Sequence, residues 1–117
     1  MRDFRKFEVW KLGHKLTLDI YRKTKSFPPE EIYGITSQIR RAAISIGSNI
    51  SEGSVKRSEK DFARFLEIAL GSATEIHNLI IVSRDLEYLS ENEFESFESE
   101  IIILKKQLFA FISKLGG

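Results

Sequence analysis

Apolar residues recur along this chain at alternating steps of three and four, and that rhythm predicts four amphipathic helices. Phe62, Leu66, Ala69, Ala73, Ile76 and Ile80 follow one another at spacings of 4, 3, 4, 3 and 4. Such a run lines one face of an α-helix as an a/d seam. Ser58, with Asp61 three residues on, is a variant capping box and marks the start, and the pattern predicts helix to about Tyr88. Phe94, Phe97, Ile101, Leu104, Leu108, Phe111 and Leu115 form a second seam at spacings of 3, 4, 3, 4, 3 and 4. Ser90 with Glu93 supplies its capping box, and Gly116-Gly117 marks its end.

A third seam runs through Ile35, Ile39, Ala42, Ile46 and Ile50, with Gly53 expected just past its end at C′. Ala42, Ala43, Ser45, Gly47 and Ser48 are small enough to let a neighbouring helix come close. Gly47 inside a helix costs about 1 kcal/mol relative to alanine, so a compensating contact is expected there. The first helix, about Val9 to Lys25, is less regular: Val9, Leu12, Leu16 and Ile20 line one face, while Trp10, Leu18 and Tyr21 lie off it. Phe27-Pro28-Pro29 stops it, because proline disfavours helix at the residue before it. Phe27 to Tyr33 reads as a loop holding one short helical turn.

Four such helices on short connections predict an all-α fold, an antiparallel up-down-up-down four-helix bundle formed by residues 1–117 as one domain. Phe4, Phe7 and Trp10 crowd the start of the first helix. They either mark an interface for a homo-oligomer or cap the bundle's own end.

Composition narrows the function classes. The chain has 117 residues, and its lack of cysteine excludes a disulfide framework, thiol catalysis and a thiolate zinc site. Arg2, Asp3, Arg5 and Lys6 open the chain with no apolar run behind them, so no signal peptide is expected. No stretch is expected to reach the roughly 18 apolar residues of a membrane span, and the expectation is a soluble, cytoplasmic domain without a membrane partner. The net charge of +1 hides an asymmetry: residues 1–60 carry 13 Lys and Arg against 7 Asp and Glu, and residues 61–117 carry 5 against 10. That polarity can attract an acidic partner or a second copy, or the helices can neutralise one another within one bundle.

Catalytic patterns are missing. A di-iron bundle needs Glu-x-x-His on two helices, but Lys11 precedes His14 by three residues and Thr74 precedes His77. Both histidines read as surface or boundary residues. Glu91, Glu93, Glu95, Glu98 and Glu100 sit early in the fourth helix, where carboxylates suit the helix dipole and solvate a face. Ser45, Ser48 and Ser51 have no histidine base near them in sequence, and helical serines usually bond back to a carbonyl one turn earlier. Asn49-Ile50-Ser51 matches a glycosylation acceptor, which carries no weight without a secretory signal. The expectation is a non-enzymatic protein without metal or cofactor.

The remaining feature is Gln38, Arg40, Arg41, Ser45, Asn49 and Glu52 on the second helix, followed by Lys56-Arg57. Arg41, Ser45, Asn49 and Glu52, spaced 4, 4 and 3, form one polar stripe beside the apolar seam. The stripe can serve an internal hydrogen-bond network or a subunit contact. Arg40, Arg41, Lys56 and Arg57 form a candidate patch for the phosphates of RNA or DNA. The alternative is an assembly or protein-interaction scaffold in which the arginines pair with Glu52 or with acidic groups of the third and fourth helices.

The segment from Thr36 to Gly53, TSQIRRAAISIGSNISEG, closely resembles the signature of the four-helix bundle proteins encoded within 23S rRNA intervening sequences, often labelled S23 ribosomal proteins. The likeness extends through Phe7-Glu8-Val9-Trp10, Phe27-Pro28 and Glu31-Ile32-Tyr33-Gly34, and through Phe65-Leu66-Glu67-Ile68-Ala69-Leu70-Gly71-Ser72 with Glu75. Gly47 stands where that family often has proline, and Leu70 where it often has arginine. The resemblance implies a ring-like homopentamer, with Gln38, Ser45, Asn49, Glu52 and Gly53 as signature and assembly residues. It also implies similarity to the accessory variability protein of diversity-generating retroelements, a basic pentameric barrel that works with a reverse transcriptase and binds nucleic acid. The ribosomal label reflects gene location.

Overall fold

The computed structural model describes residues 2–116, and among them every regular element is helical. The helices are α1 (Glu8–Thr24), α2 (Ile35–Ser54), α3 (Glu59–Asp85) and α4 (Glu91–Lys114), with short 3-10 turns at Phe4–Lys6 and Pro29–Glu31. Each helix packs against its sequence neighbours and α1 closes the ring against α4, within an envelope of 43 × 23 × 19 Å. Cross-helix pairs fix the directions. Gly13 meets Ile46 while Arg40 reaches back to Thr24, Ser72 meets Ser45 while Gly53 meets Phe62, and Lys15 and Lys23 reach Glu100 and Glu93. Every neighbouring pair is therefore antiparallel, as an up-down-up-down bundle requires.

The core is the set of predicted seams. Leu16, Ile20, Ile39, Ile46, Ile50, Leu66, Ile76, Ile80, Ile101, Leu104 and Leu108 are all essentially fully buried. In α4 the seam drifts. Ile112 is buried where the heptad spacing gives Phe111, which is only half-buried. A helix of 3.6 residues per turn slips about 20° per heptad against a 3.5-residue repeat, and over three heptads that carries the stripe to the next position. Phe111 still packs, in a triangle with Phe7 and Phe62 whose ring centroids lie 5.1–5.7 Å apart. Phe7 thus caps this chain's own end. Phe4 leans edge-on against Trp10, and Trp10 stacks on His14 at 4.7 Å.

The helix ends show where local chemistry decides. Ser58 and Ser90 both accept a hydrogen bond from the amide three residues on, and Glu93 completes the reciprocal half of the box at Ser90. α3 stops at Asp85, short of the expected Tyr88, because Glu87 turns into the left-handed region at φ 65°. The amide of Tyr88 then bonds the Ser83 carbonyl and that of Glu87 the Arg84 carbonyl, each at 2.8 Å, which is the Schellman closure. α4 ends through Gly116 at φ 78°, as expected of its glycine, while Gly117 lies outside the described residues.

Two expectations are corrected. Gly53 is a buried residue inside α2, and the helix runs on through Ser54. A β-carbon on Gly53 would stand 2.8 Å from the Phe65 Cβ and 2.9 Å from Phe62 Cδ1, so glycine is there for close approach. Secondly, α3 is long and apolar enough, by length and composition, to cross a membrane, contrary to the expectation that no stretch comes near. Within the bundle it places Phe62, Leu66, Ala69, Ala73, Ile76 and Ile80 in the core.

Candidate nucleic-acid interface

α2 is a single rod, so Arg40 lies about 21 Å along its axis, at 1.5 Å per residue, from Ser54, beyond which Lys56 and Arg57 follow. The four basic residues expected to act together are therefore divided between two levels of the bundle. Arg40 turns to α1: its Nε donates to Thr24 Oγ1 at 2.8 Å, and its guanidinium lies 4.8 Å from the Tyr21 ring centroid. Arg41 points the other way, into the α2–α3 groove. Neither pairs with Glu52, which lies about three turns away, nor with any other acid among the described residues.

The polar stripe of α2 forms an internal network. Asn49 Nδ2 donates to the Ser45 carbonyl at 2.8 Å and to Ser45 Oγ at 3.0 Å, and Ser72 Oγ of α3 donates to Ser45 Oγ at 2.9 Å. This chain of hydroxyls and amide ties α2 to α3 where both helices carry small residues. Next to it, Gln38, Arg41, Ser45, Ser72 and Glu75 line a shallow polar groove. Ser51 bonds back to the Ser48 carbonyl as expected of a helical serine, whereas Ser45 is committed across the helix pair.

Lys56 and Arg57 sit on the turn between α2 and α3, and a third basic residue joins them. Arg2 donates from Nη1 to the carbonyls of Ser54 at 3.2 Å and Lys56 at 2.6 Å. α2 has no basic residue in its last turn, so Arg2 supplies the cation that its carbonyl end favours. The Lys56 ammonium lies 5.0 Å from the Phe65 ring centroid, and Arg57 is exposed.

The charge asymmetry of the sequence lies across the bundle, from the α1–α2 pair to the α3–α4 pair, and the fold adds a second polarity along it. The end built from segments 2–14, 45–73 and 102–116 holds eleven Lys and Arg against six Asp and Glu, a net +5. The opposite end, 15–44 with 74–101, holds seven against eleven, a net −4. At the basic end Arg5 pairs with Asp3 and Arg64 with Asp61, while Lys56, Arg57, Lys60, Lys105, Lys106 and Lys114 make no ion pair among the described residues. Lys105, Lys106 and Lys114 escape a reading of the basic segments alone, because only the return of α4 brings them into this half of the bundle, Lys114 near Glu59 and Lys105 and Lys106 beside Leu70. The signal was available in the helix lengths and the up-down order.

The acidic end is used for packing. Glu93 binds Lys23 of α1 at 2.7 Å, Glu98 contacts His77 Nε2 of α3 at 2.9 Å, and Glu100 reaches Lys15 of α1 at 3.1 Å. The Lys23 ammonium and the Ser90 amide hold the Glu93 carboxyl below its ordinary range, whereas burial pushes that of Glu100 up despite Lys15. His77 is half-buried at the boundary, and His14 is exposed against Trp10. Among the described residues no three His, Asp or Glu side chains gather as metal ligands.

Fold and surface together define a small four-helix bundle with one basic end and an internally bonded α2–α3 stripe. The family model of the 23S rRNA-intervening sequence protein matches residues 5–110, and the chain belongs to that family. Its structure is similar to the crystal structure of a protein of unknown function from the S23 ribosomal protein family of Bacteroides thetaiotaomicron, with a TM-score of 0.82 and 28% identity. That match covers 89% of this chain and 97% of the other. No curated protein matches.

Proposed function

We propose that this chain is a non-enzymatic, cytoplasmic bundle that self-associates and contacts nucleic-acid phosphates with its basic end. The supporting observation is the excess of lysines and arginines without an acidic partner in the half of the bundle that holds the α2–α3 turn and the second half of α4, which carries a net +5. Phosphate contacts are individually weak, but several on one rigid body act together, and a ring of copies would multiply them. Lys56 and Arg57 carry the contact in this reading, Arg41 flanks the polar groove, and Arg40 braces α1.

Self-association is favoured by a separate feature. Leu18, Tyr21 and Ile44 are exposed on the outer face of the α1–α2 pair, alongside half-buried Trp10. Exposed apolar side chains grouped on one face suit a protein contact. A homopentamer, as the family resemblance implies, would use such a face, and a protein-interaction scaffold would use it equally.

Fluorescence anisotropy of a labelled structured RNA and a DNA duplex at two salt concentrations tests the reading. Binding should be tight at low salt and fall steeply with added salt, and Lys56→Ala with Arg57→Ala should weaken it and flatten the salt dependence. No binding at either salt would leave the scaffold reading.

A further inference from the structure

Phe109 is the most exposed large apolar side chain of the four helices, with 66% of its surface open. It stands on the outer side of α4, where Leu70, Thr74, Lys105, Lys106 and Ala110 complete a groove of about 410 Å³ between α3 and α4. Lys105 and Lys106 precede it by four and three residues, so all three side chains rise from one helix face. Neither lysine pairs with an acid among the described residues, and α4 carries no acidic residue after Glu100.

We infer that this groove is a stacking platform for the bases of single-stranded nucleic acid. An exposed aromatic ring offers a flat apolar face to any base, and two unpaired ammonium groups one turn away meet the phosphates on either side. Duplex bases are already stacked on one another and cannot use the ring, so the site selects unpaired strands. Leu70 forms the apolar wall opposite the ring, at the position where the family often has arginine. The groove lies in the basic half of the bundle, on the α3–α4 side rather than at the Lys56–Arg57 turn. The inference rests on the proposed nucleic-acid function and adds a second, strand-selective contact to it.

The test compares a labelled oligouridine of roughly ten nucleotides with an RNA duplex, using the full chain and three variants. Phe109→Ala should lower affinity for the single strand by roughly tenfold and leave duplex affinity unchanged, and Phe109→Trp should restore it. Lys105→Ala with Lys106→Ala should reduce the salt slope for the single strand by about 1.4. Single-strand affinity of Phe109→Ala equal to that of the unmodified chain would overturn the inference. So would a smaller hydrodynamic size of Phe109→Ala, which would mean that a second copy covers the ring. If the unmodified chain binds neither probe, the underlying function fails; if Lys56→Ala with Arg57→Ala loses the duplex while Phe109→Ala changes nothing, only the platform fails.

Discussion

Gly53 of α2 and Phe65 of α3 approach so closely that a β-carbon on the glycine would lie 2.8 Å from the Phe65 Cβ. Both atoms are fixed to backbone, so neither helix can yield without moving as a whole. Gly53→Ala should therefore cost about 2 kcal/mol of overpacking despite alanine's better helix propensity. Gly47 provides the control on the same helix. A β-carbon there would rest 3.5 Å from Trp10 Nε1, an ordinary contact, and Gly47→Ala should gain up to about 1 kcal/mol. Urea unfolding of the two variants should give opposite signs.

Arg40 is a brace between helices. It bonds the buried Thr24 hydroxyl and covers the Tyr21 ring. Arg40→Ala should lower stability by about 1 kcal/mol, and Arg40→Lys should not restore it because an ammonium cannot donate in the same plane. Nucleic-acid affinity should stay at its unmodified level. A stable variant with weakened binding would return Arg40 to the phosphate site.

Glu87 holds a backbone conformation that glycine adopts freely. With φ at 65° it closes the Schellman turn of α3, and its side chain is exposed. Glu87→Gly should stabilise the bundle by about 1 kcal/mol, the usual strain of a non-glycine residue there. Thermal melting would register it as a rise in Tm, and an unchanged or lower Tm would show the side chain contributes something else.

Glu93 and Glu100 both pair with lysines of α1, yet their pH responses should oppose each other. The Lys23 ammonium and the Ser90 amide depress the Glu93 carboxyl below 4.5 in the fold. Its contribution is present above that value and is lost as pH falls through and below it. Burial raises the Glu100 carboxyl, so its contribution is complete below 4.5 and disappears as pH rises through the raised value. At pH 7, Glu93→Gln should be less stable than the unmodified chain by up to about 1 kcal/mol, since the pair is partly exposed, and Glu100→Gln more stable. Both differences should shrink at low pH. Equilibrium unfolding across acid pH would detect a shared sign, which would contradict the assignment.

Most of the fold was legible in the sequence because the bundle is built from local periodicity. The seams of α3 and α4, the Ser58 and Ser90 caps and the Phe27–Pro29 stop all follow from residues within a few positions of one another. What failed depended on the partner helix. Gly53 looks like a terminator until Phe62 and Phe65 are placed beside it, and Glu87 gives no hint of a left-handed turn. The candidate site was less legible still. Arg40 and Arg41 are neighbours in sequence but point about 100° apart around a helix, one toward α1 and the other toward α3. Lys105, Lys106 and Lys114, which share this half of the bundle, come from the far end of the chain.

The polarity along the bundle also constrains assembly. Copies arranged around an axis parallel to their helices keep all their ends on the same side. Such a disc would have a cationic rim on one face and an anionic rim on the other, and its potential would grow with each copy added. A pair of copies related by a two-fold axis across the helices would instead set +5 beside −4 and nearly cancel. Discs of the first kind would attract one another face to back, as magnets stack, and salt would set the length of the column.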